Sequence, residues 1–575
     1  MSQFRIEKNQ FLLDEQPFKI ISGAIHYFRV VPAYWEDRLK KLRAMGCNTV
    51  ETYVPWNLHE PQPGEYCFSG ALNLELFIQI AKNIGLYVII RPSPFICAEW
   101  DFGGLPAWLL ANDDISVRTS SDVFLSYVAR YYSHLFPHLV PYQIDNEGPI
   151  LLMQVENEYG AYGNDTQYLI KLRDLMHNCG ATVPLITSDN FEQDLSRGIC
   201  PGALPTANFG SGSLEKFTLL AEINNGGPLM CTEFWVGWYD AWGDVQHHIT
   251  DADSAAKELD KVLALGNVNI YMFHGGTNFG FMNGANNRGY FAPDVTSYDY
   301  DAPLAEDGTI TPKYYAFQKV IAKYVPLPNI EISSLPHGDF SAGPPDSYAS
   351  LFKNLDALSS PIFLDSPCCM ELLGQSYGYT LYSCTLPRDI SSLSFSYARD
   401  RMLIFSGDLL VCTLFDADIS GCHTLNLPAG SNLQILTENL GRVNYGSLLA
   451  NQRKGLQGTV LADGLPLMGW ECRTLPLTEL SGLEFLEPAD IHSKRSPAFF
   501  HFSVEVSKPL DTFLSLPGWG KGCVFVNGFN LGRFWDIGPQ RRLYLPAPLL
   551  KKGHNDIIVL ETDGIRGTSI LLSKN

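Results

Sequence analysis

A repeated alternation of short apolar runs and longer amphipathic runs across the first 325 residues constrains the fold of this chain most strongly. Each short run suits a buried strand, and each longer run has the apolar spacing of a helix that covers a sheet. Eight strands are predicted at residues 18–25, 48–54, 86–91, 149–155, 183–187, 204–209, 228–234 and 268–274. Eight parallel strands with intervening helices predict a (β/α)8 TIM barrel.

Helices are predicted after most of these strands, at residues 34–44, 71–84, 122–135, 166–179, 253–265 and 312–325. Residues 327–345 then mix Pro, Ser and Gly, which predicts a linker. From about Ser347, short strands rich in Leu, Tyr, Phe and Thr alternate with turns, a pattern typical of β-sandwiches. We therefore predict an α/β barrel at residues 1–326 and two all-β domains at residues 346–478 and 479–575.

Composition excludes several classes of partner. The formal net charge is −20 and no cluster of Lys and Arg stands out, so neither nucleic acid nor an anionic membrane is an expected partner. No run approaches the ~18 apolar residues of a membrane span, and the first residues lack the features of a signal peptide. The thirteen cysteines lie mostly in apolar runs, which indicates reduced thiols. We expect a cytoplasmic protein.

The sequence predicts neither a metal site nor a cofactor. His247 and His248 are adjacent and would point apart in a strand, and no Cys/His spacing suits a metal. No Gly-rich phosphate loop or nucleotide fingerprint is present either.

Polar side chains gather at the C-terminal ends of the predicted strands. In a barrel of this type the chemistry lies where strands end and the following loops begin. The strand-end candidates are Glu51, Tyr53, Glu99, Asn157, Glu158, Glu233, Tyr271 and His274. One rim of the barrel therefore collects carboxylates and aromatic rings.

Two strand-end glutamates suit glycoside hydrolysis, which needs one carboxyl to protonate the leaving oxygen and another to attack the anomeric carbon or activate water. Glu233 ends the seventh strand, and the fourth strand ends in Glu156-Asn157-Glu158. Alternation along a strand points Glu156 and Glu158 to the same side unless the strand end twists, so strand parity alone does not choose between them. Strands four and seven lie across the barrel, so their ends can converge over its axis.

The Asn157-Glu158 dipeptide after a fourth strand, with a lone glutamate on the seventh, resembles a large clan of retaining glycosidases. The resemblance implies that Glu158 is the acid/base, that Glu233 is the nucleophile and that Asn157 binds the sugar 2-hydroxyl. Retaining carboxyls lie about 5–5.5 Å apart. At that spacing the charge of Glu233 should raise the pKa of Glu158.

Further segments resemble the β-galactosidases of glycoside hydrolase family 35, in particular the bacterial, intracellular type. They are residues 22–29, 51–57, 91–106, 157–158 and 271–280 in the barrel and 373–379, 438–446, 519–528 and 530–535 beyond it. The last two resemble the family's jelly-roll-like C-terminal domain, which looks like a carbohydrate-binding module and is interpreted here as scaffold.

The family resemblance also implies how galactose is held. The implied contacts are Tyr53, Cys97, Ala98, Glu99, Asn157, Tyr271 and Tyr298. Carboxylate, amide and phenol groups suit sugar hydroxyls, and aromatic faces suit the apolar face of a pyranose. Cys97 is expected to offer backbone contacts, since no base lies near it in sequence. His26 and His274 are expected to orient neighbours or fill the barrel mouth.

Trp235 stands two residues after the predicted nucleophile, where some relatives carry Tyr. Trp235 and Trp238 would stack on a second sugar, as in bacterial relatives that favour β-1,3-linked galactose. Core packing of Trp238 is an equal alternative. Tyr445 is predicted to border the active site.

Together these features predict a retaining exo-β-galactosidase that removes terminal β-D-galactose from oligosaccharides or glycoconjugates, with a preference for β-1,3 linkages and a homodimeric assembly. Two alternatives stay open. An exo-β-glucosaminidase on the same scaffold would need a carboxylate for the 2-amino group. A lectin-like protein with an inactive barrel is the other, and the presence of both glutamates argues against it.

Overall fold

The structure is a computed structural model that describes residues 2–298, 301–487 and 495–574. Its N-terminal part is a closed barrel of eight parallel strands, in which the eighth strand pairs with the first. In chain order the barrel strands span Ile21–Ile25, Thr49–Tyr53, Tyr87–Arg91, Ile150–Gln154, Leu185–Asp189, Leu204–Phe209, Met230–Trp235 and Asn267–His274. The predicted fold class is confirmed.

Seven long helices surround the barrel: Trp35–Met45, Leu74–Ile84, Asp122–Leu135, Thr166–Asn178, Ser213–Ile223, Ala252–Leu265 and Pro312–Ile321. Three of them are capped at their N-terminus by a side chain that accepts a hydrogen bond from a backbone N–H of the first turn. The capping residues are Asn73, Asp165 and Asp251. Six correspond to the predicted helices. Ser213–Ile223, which follows the sixth strand, was not predicted, although its apolar face buries Phe217 and Leu220.

Smaller elements complete this part of the chain. A three-stranded sheet of Phe4–Glu7, Gln10–Leu13 and Gln16–Pro17 precedes the barrel, and a hairpin of Ala285–Asn287 and Phe291–Pro293 follows its eighth strand. Short α-helices at Trp56–His59 and Tyr159–Tyr162 lie in loops of the barrel, and another at Leu355–Leu358 lies in the β region after it. No helix among the described residues is both long and apolar enough to cross a membrane.

The β region after the barrel contains two sheet systems. The first has a six-stranded sheet of Ile362–Leu364, Trp470–Leu475, Tyr379–Thr385, Asn432–Glu438, Arg401–Ser406 and Leu409–Phe415. It also has a four-stranded sheet of Cys422–Leu427, Ile390–Phe395, Val460–Ala462 and Leu465–Pro466. A short pair of strands, Ala398–Arg399 and Gly455–Leu456, belongs to the same system. The second has a five-stranded sheet of Ser347–Ser350, Ala498–Val506, Gly553–Glu561, Lys521–Val526 and Phe529–Trp535, with a three-stranded sheet of Arg542–Leu545, Thr512–Ser515 and Leu571–Ser573.

One strand that precedes the first all-β module in sequence belongs to a sheet of the second module. Ser347–Ser350 falls in the range predicted for the first all-β domain, but it pairs antiparallel with Ala498–Val506 of the second system. The predicted linker also contacts that system, through bridges from His337 to Asp511 and from Phe340 to Leu572. The chain therefore supplies an edge strand to the last module before it builds the first one.

A buried ion-pair network docks the first all-β module onto the barrel. Arg442 donates to Asp101 of the barrel from its backbone N at 2.7 Å and from Nη1 at 3.1 Å. Its Nη2 donates to Glu371 at 2.6 Å, and all three side chains are buried. Because a buried charge without a partner is strongly unfavourable, this contact fixes the position of the Arg442 segment. The next residues along the chain reach the barrel mouth.

Candidate active site

A cavity opens over the C-terminal ends of the barrel strands, with about 720 Å³ of empty space including its mouth. Eleven of the twelve predicted site residues line it: Cys97, Ala98, Glu99, Asn157, Glu158, Glu233, Trp235, Trp238, Tyr271, Tyr298 and Tyr445. Asn190, Glu192, Gly237, Tyr239 and Asn286 line it as well. The two predicted catalytic glutamates therefore face one cavity.

Tyr53 is the predicted site residue that is not part of the cavity lining. It is fully buried beneath the cavity, and its hydroxyl donates to Glu233 Oε1 at 2.7 Å and lies 2.9 Å from Asn157 Oδ1. Its visible role is to support Glu233 from below.

Donors reach both carboxyl oxygens of Glu233. Oε1 accepts from Tyr53 and forms an ion pair with Arg91 Nη1 at 2.8 Å, while Oε2 accepts from the indole of Trp235 at 3.1 Å. Arg91 ends the third strand, is fully buried and also pairs with Glu51 at 3.2 Å. A charge-assisted pair of this kind fixes the direction of the carboxyl group.

Glu158 has a different environment, with neutral donors in place of a cation. Its Oε1 accepts from Asn208 Nδ2 at 3.0 Å and from Asn190 Nδ2 at 3.1 Å, and its side chain is buried in the cavity wall. Burial, followed by the negative charge of Glu233, raises the pKa of Glu158 to about 8. One cavity thus contains a carboxyl that keeps its proton at neutral pH and another that is paired with a cation.

Strand parity does not apply at Glu156 and Glu158, contrary to the expectation that both point to the same side. The fourth strand ends at Gln154, and both glutamates have left-handed backbone, with φ of 59° and 48°. Glu156 turns away to Arg118, which donates to both of its carboxylate oxygens at 3.0 and 2.9 Å. Asn157 and Glu158 line the cavity instead, so the turn selects Glu158.

Residues 97–99 form another part of the cavity wall. All three have positive φ, between 48° and 59°, a strained conformation that concentrates at functional sites. Tyr298 donates to Glu99 Oε2 at 2.5 Å, and its hydroxyl lies 3.1 Å from that of Tyr271. Burial raises the pKa of Glu99 to about 6. This chain of carboxylate and phenol groups is suited to binding sugar hydroxyls.

The thiol of Cys97 has no activating partner. Its Sγ accepts from Asn444 Nδ2 at 3.6 Å, and burial raises its pKa well above the ordinary value. His26 and His274 lie buried below the site, and burial holds the pKa of both well below the usual range. His26 accepts from Arg29 on Nδ1 and stacks on Phe28.

Aromatic side chains form the outer part of the cavity. Trp238 is 42% exposed, which excludes the core-packing alternative for it. It stacks on Tyr239 at 5.2 Å and stands edge-on to Trp235, with ring centroids 5.8 Å apart. The outer cavity therefore offers an exposed indole face next to the two glutamates.

A second polar group stands beside Glu158. Asn190 Nδ2 donates to the hydroxyl of Tyr445 at 2.9 Å, and that hydroxyl donates to Glu192 Oε2 at 2.6 Å. Tyr445 comes from the first all-β module, so two domains build this side of the cavity. Asn190 and Asn208 were not predicted, because strand-end amides are common and their contact with Glu158 exists only in the folded barrel.

One group of potential metal ligands occurs among the described residues, formed by Asp240, Asp244 and His248 within 4.8 Å of one another. Protein contacts already occupy these atoms. His248 Nδ1 lies 2.8 Å from Asp240 Oδ1, and Asp244 pairs with Arg288 at 2.8 Å. The group does not line the cavity.

Comparison with known families agrees with this geometry. Residues 10–324 match the family model described as glycosyl hydrolases family 35. Residues 367–477 match the first all-beta domain of beta-galactosidase, and residues 497–555 match its galactose-binding domain.

Relatives align over nearly the whole chain. Human beta-galactosidase-1-like protein 2 is 41% identical over 96% of this chain and 88% of its own length. Mouse beta-galactosidase is 39% identical over 97% of this chain and 91% of its own. Beta-galactosidase of Xanthomonas manihotis is 39% identical over 94% and 91%.

Proposed function

Because this chain belongs to glycosyl hydrolase family 35 and is a glycoside hydrolase, we propose that it is a retaining exo-β-galactosidase acting by double displacement. The single observation that carries the proposal is the contrast between its two cavity glutamates. Glu233 is paired with Arg91, whereas Glu158 is surrounded by neutral amides and has a raised pKa. Opposed environments of this kind assign a nucleophile and an acid in glycosidases.

In the first step, Glu233 forms a bond to the anomeric carbon of galactose while the bond from that carbon to the leaving oxygen breaks. The proton of Glu158 passes to the leaving oxygen. Asn190 and Asn208 both donate to Oε1 of Glu158, so Oε2 is the oxygen that carries this proton. Tyr53 and Arg91 hold Glu233 in place throughout.

In the second step, water attacks the anomeric carbon and gives a proton to Glu158, and the bond to Glu233 breaks. The galactosyl-enzyme no longer carries the negative charge of Glu233, which removes one cause of the raised pKa of Glu158. Glu158 then acts as a base. Two inversions at one carbon return the β configuration.

The cavity wall formed by Glu99, Tyr298 and Tyr271 supports exo action. These side chains bond to one another, and Glu99 also accepts from Asn444, so this part of the wall is a connected set of polar groups. The hydroxyls of galactose would replace these internal hydrogen bonds, and Asn157 would face the 2-hydroxyl. The leaving sugar would then lie outward, near Trp235 and Trp238.

The proposal is tested by incubating the purified protein with nitrophenyl β-galactoside and with nitrophenyl β-glucosaminide, and by following the first-formed sugar anomer by NMR. We expect release of galactose, with β-galactose appearing before mutarotation. First-formed α-galactose would contradict retention. Preference for the glucosaminide would establish the alternative specificity, and inactivity toward both would favour a binding protein.

The exposed indole of Trp238 supports a preference for β-1,3 linkages. On a panel of β-1,3-, β-1,4- and β-1,6-galactosyl disaccharides, we expect the β-1,3 disaccharide to have the highest kcat/KM. Trp238→Ala should lower that value about five- to tenfold, the size of one aromatic stacking contact. Hydrolysis of the other two linkages should change less.

A matched control for this substitution is Phe363→Ala, which removes an aromatic ring that is 73% exposed in the first all-β module. It should leave all three rates unchanged. Equal rates for the three linkages in the unsubstituted protein would remove the linkage proposal and leave the galactosidase proposal intact.

A further inference from the structure

Asn190 is held by hydrogen bonds on both ends of its side-chain amide. Its Oδ1 accepts the backbone N–H of Glu192 at 3.0 Å. Its Nδ2 donates to Glu158 Oε1 at 3.1 Å and to the Tyr445 hydroxyl at 2.9 Å. An amide nitrogen has two hydrogens, so these two acceptors use both of them and settle the orientation of the group.

Tyr445 connects Asn190 to Glu192, which is exposed at the protein surface. Its hydroxyl has a single hydrogen, which it donates to Glu192 Oε2 at 2.6 Å. The hydroxyl oxygen of Tyr445 is therefore free to accept from Asn190. A negative charge on Glu192 polarises the hydroxyl and strengthens it as an acceptor. In the series Glu192, Tyr445, Asn190 and Glu158, Asn190 thus donates to both Glu158 and Tyr445, and Tyr445 donates to Glu192.

This series of hydrogen bonds joins two modules of the protein, because Tyr445 belongs to the first all-β module. Tyr445 follows Arg442, whose buried pairs with Asp101 and Glu371 dock the first all-β module on the barrel. Asn190 and Glu192 follow the fifth barrel strand. The support of Glu158 is consequently complete only when the two modules are docked.

We propose that Tyr445 and Glu192 are positioning residues for the acid/base, acting through Asn190 to aim the protonated oxygen of Glu158 at the glycosidic oxygen. The inference rests on the proposed function, in which Glu158 protonates the leaving group. Neither residue transfers a proton itself. Their contribution is confined to the proton transfers of Glu158, because their contacts reach Glu158 and not Glu233.

This restriction gives a specific signature. A dinitrophenol leaves without protonation, whereas a phenol of higher pKa needs the acid. Tyr445→Phe removes one hydroxyl and releases Asn190, so kcat/KM for phenyl β-galactoside should fall about tenfold, a part of the 10²–10⁴-fold that general acid catalysis contributes. For dinitrophenyl β-galactoside it should change less than about twofold, because no acid is required.

The two substrates differ only in ring substituents, so a lost contact with the leaving group would lower both rates. Glu192→Gln offers a second variant at an exposed position, with an amide oxygen that still accepts from Tyr445. It should show the same leaving-group dependence with a smaller loss. Tyr315→Phe removes a hydroxyl from a 59% exposed side chain on an outer helix and is the matched control.

Equal losses on both substrates, or no loss on phenyl β-galactoside, would overturn the positioning role. The unsubstituted protein tests the proposed function in the same assay, since inactivity toward both galactosides would contradict the galactosidase itself. A thermal unfolding midpoint for each variant shows whether a loss reflects folding. A loss confined to the poor leaving group, at an unchanged midpoint, supports the inference.

Discussion

Glu233→Gln is expected to lower kcat for aryl β-galactosides by about 10⁴-fold or more, the scale on which removal of a covalent nucleophile acts. The amide is close in size to the carboxylate, so the cavity should keep its shape. It is a poor nucleophile, and it also removes the negative charge that pairs with Arg91 at 2.8 Å. The loss should therefore appear in kcat for every leaving group.

A smaller side chain at the same position provides a stricter test. Glu233→Gly opens a space beneath the anomeric carbon that a small anion such as azide can enter. With dinitrophenyl β-galactoside we expect azide to restore turnover and to yield α-galactosyl azide, because attack comes from the face that Glu233 occupied. The product is identified by NMR.

The matched control is Glu215→Gln, at an exposed position on the helix Ser213–Ile223, which should keep full activity. Formation of β-galactosyl azide by the glycine variant would place the nucleophile elsewhere. Substantial activity of Glu233→Gln toward all substrates would have the same meaning.

Glu158→Gln should produce the second largest effect, with a different pattern. General acid catalysis contributes about 10²–10⁴-fold, so kcat/KM for phenyl β-galactoside should fall by that range. For dinitrophenyl β-galactoside, kcat/KM should stay within about tenfold, because this leaving group needs no proton. Its kcat should still drop, since no base activates water in the second step. Rapid-mixing measurements should then show a burst of dinitrophenol.

The pH dependence provides an independent check of Glu158. Its pKa is raised to about 8, and the first step needs its protonated form. In the unsubstituted protein, kcat/KM should therefore decline as pH rises through that region. Glu158→Gln should lose this decline because the amide does not titrate. A decline that persists in the variant would assign the acid role to another group.

Local sequence pattern determined the barrel. The eight strands and six of the seven long helices follow from apolar periodicity, which depends only on neighbours along the chain. The same reasoning placed candidate residues at strand ends, since parallel strands of a barrel all end at one rim. Five of the eight strand-end candidates do line one cavity there, and the other six predicted residues that line it came from the family resemblance. The cytoplasmic location and the homodimer stay predictions.

The tertiary structure decided what each of those residues contacts. Strand parity left Glu156 and Glu158 equivalent, and only the left-handed turn separates them by giving Glu156 to Arg118. The pairing of Ser347–Ser350 with Ala498–Val506 joins segments about 150 residues apart in sequence, beyond the reach of any local pattern.

The electrostatic contrast between the two glutamates is likewise a property of the fold. Residue type established that both are carboxylic acids, whereas burial and neighbours from other strands raised the pKa of Glu158 and gave Glu233 a cationic partner. A pKa depends on desolvation and on charges within a few ångströms, and these distances are set by packing. The sequence by itself thus determined the scaffold and the candidates, and the contacts between distant segments assigned their chemistry.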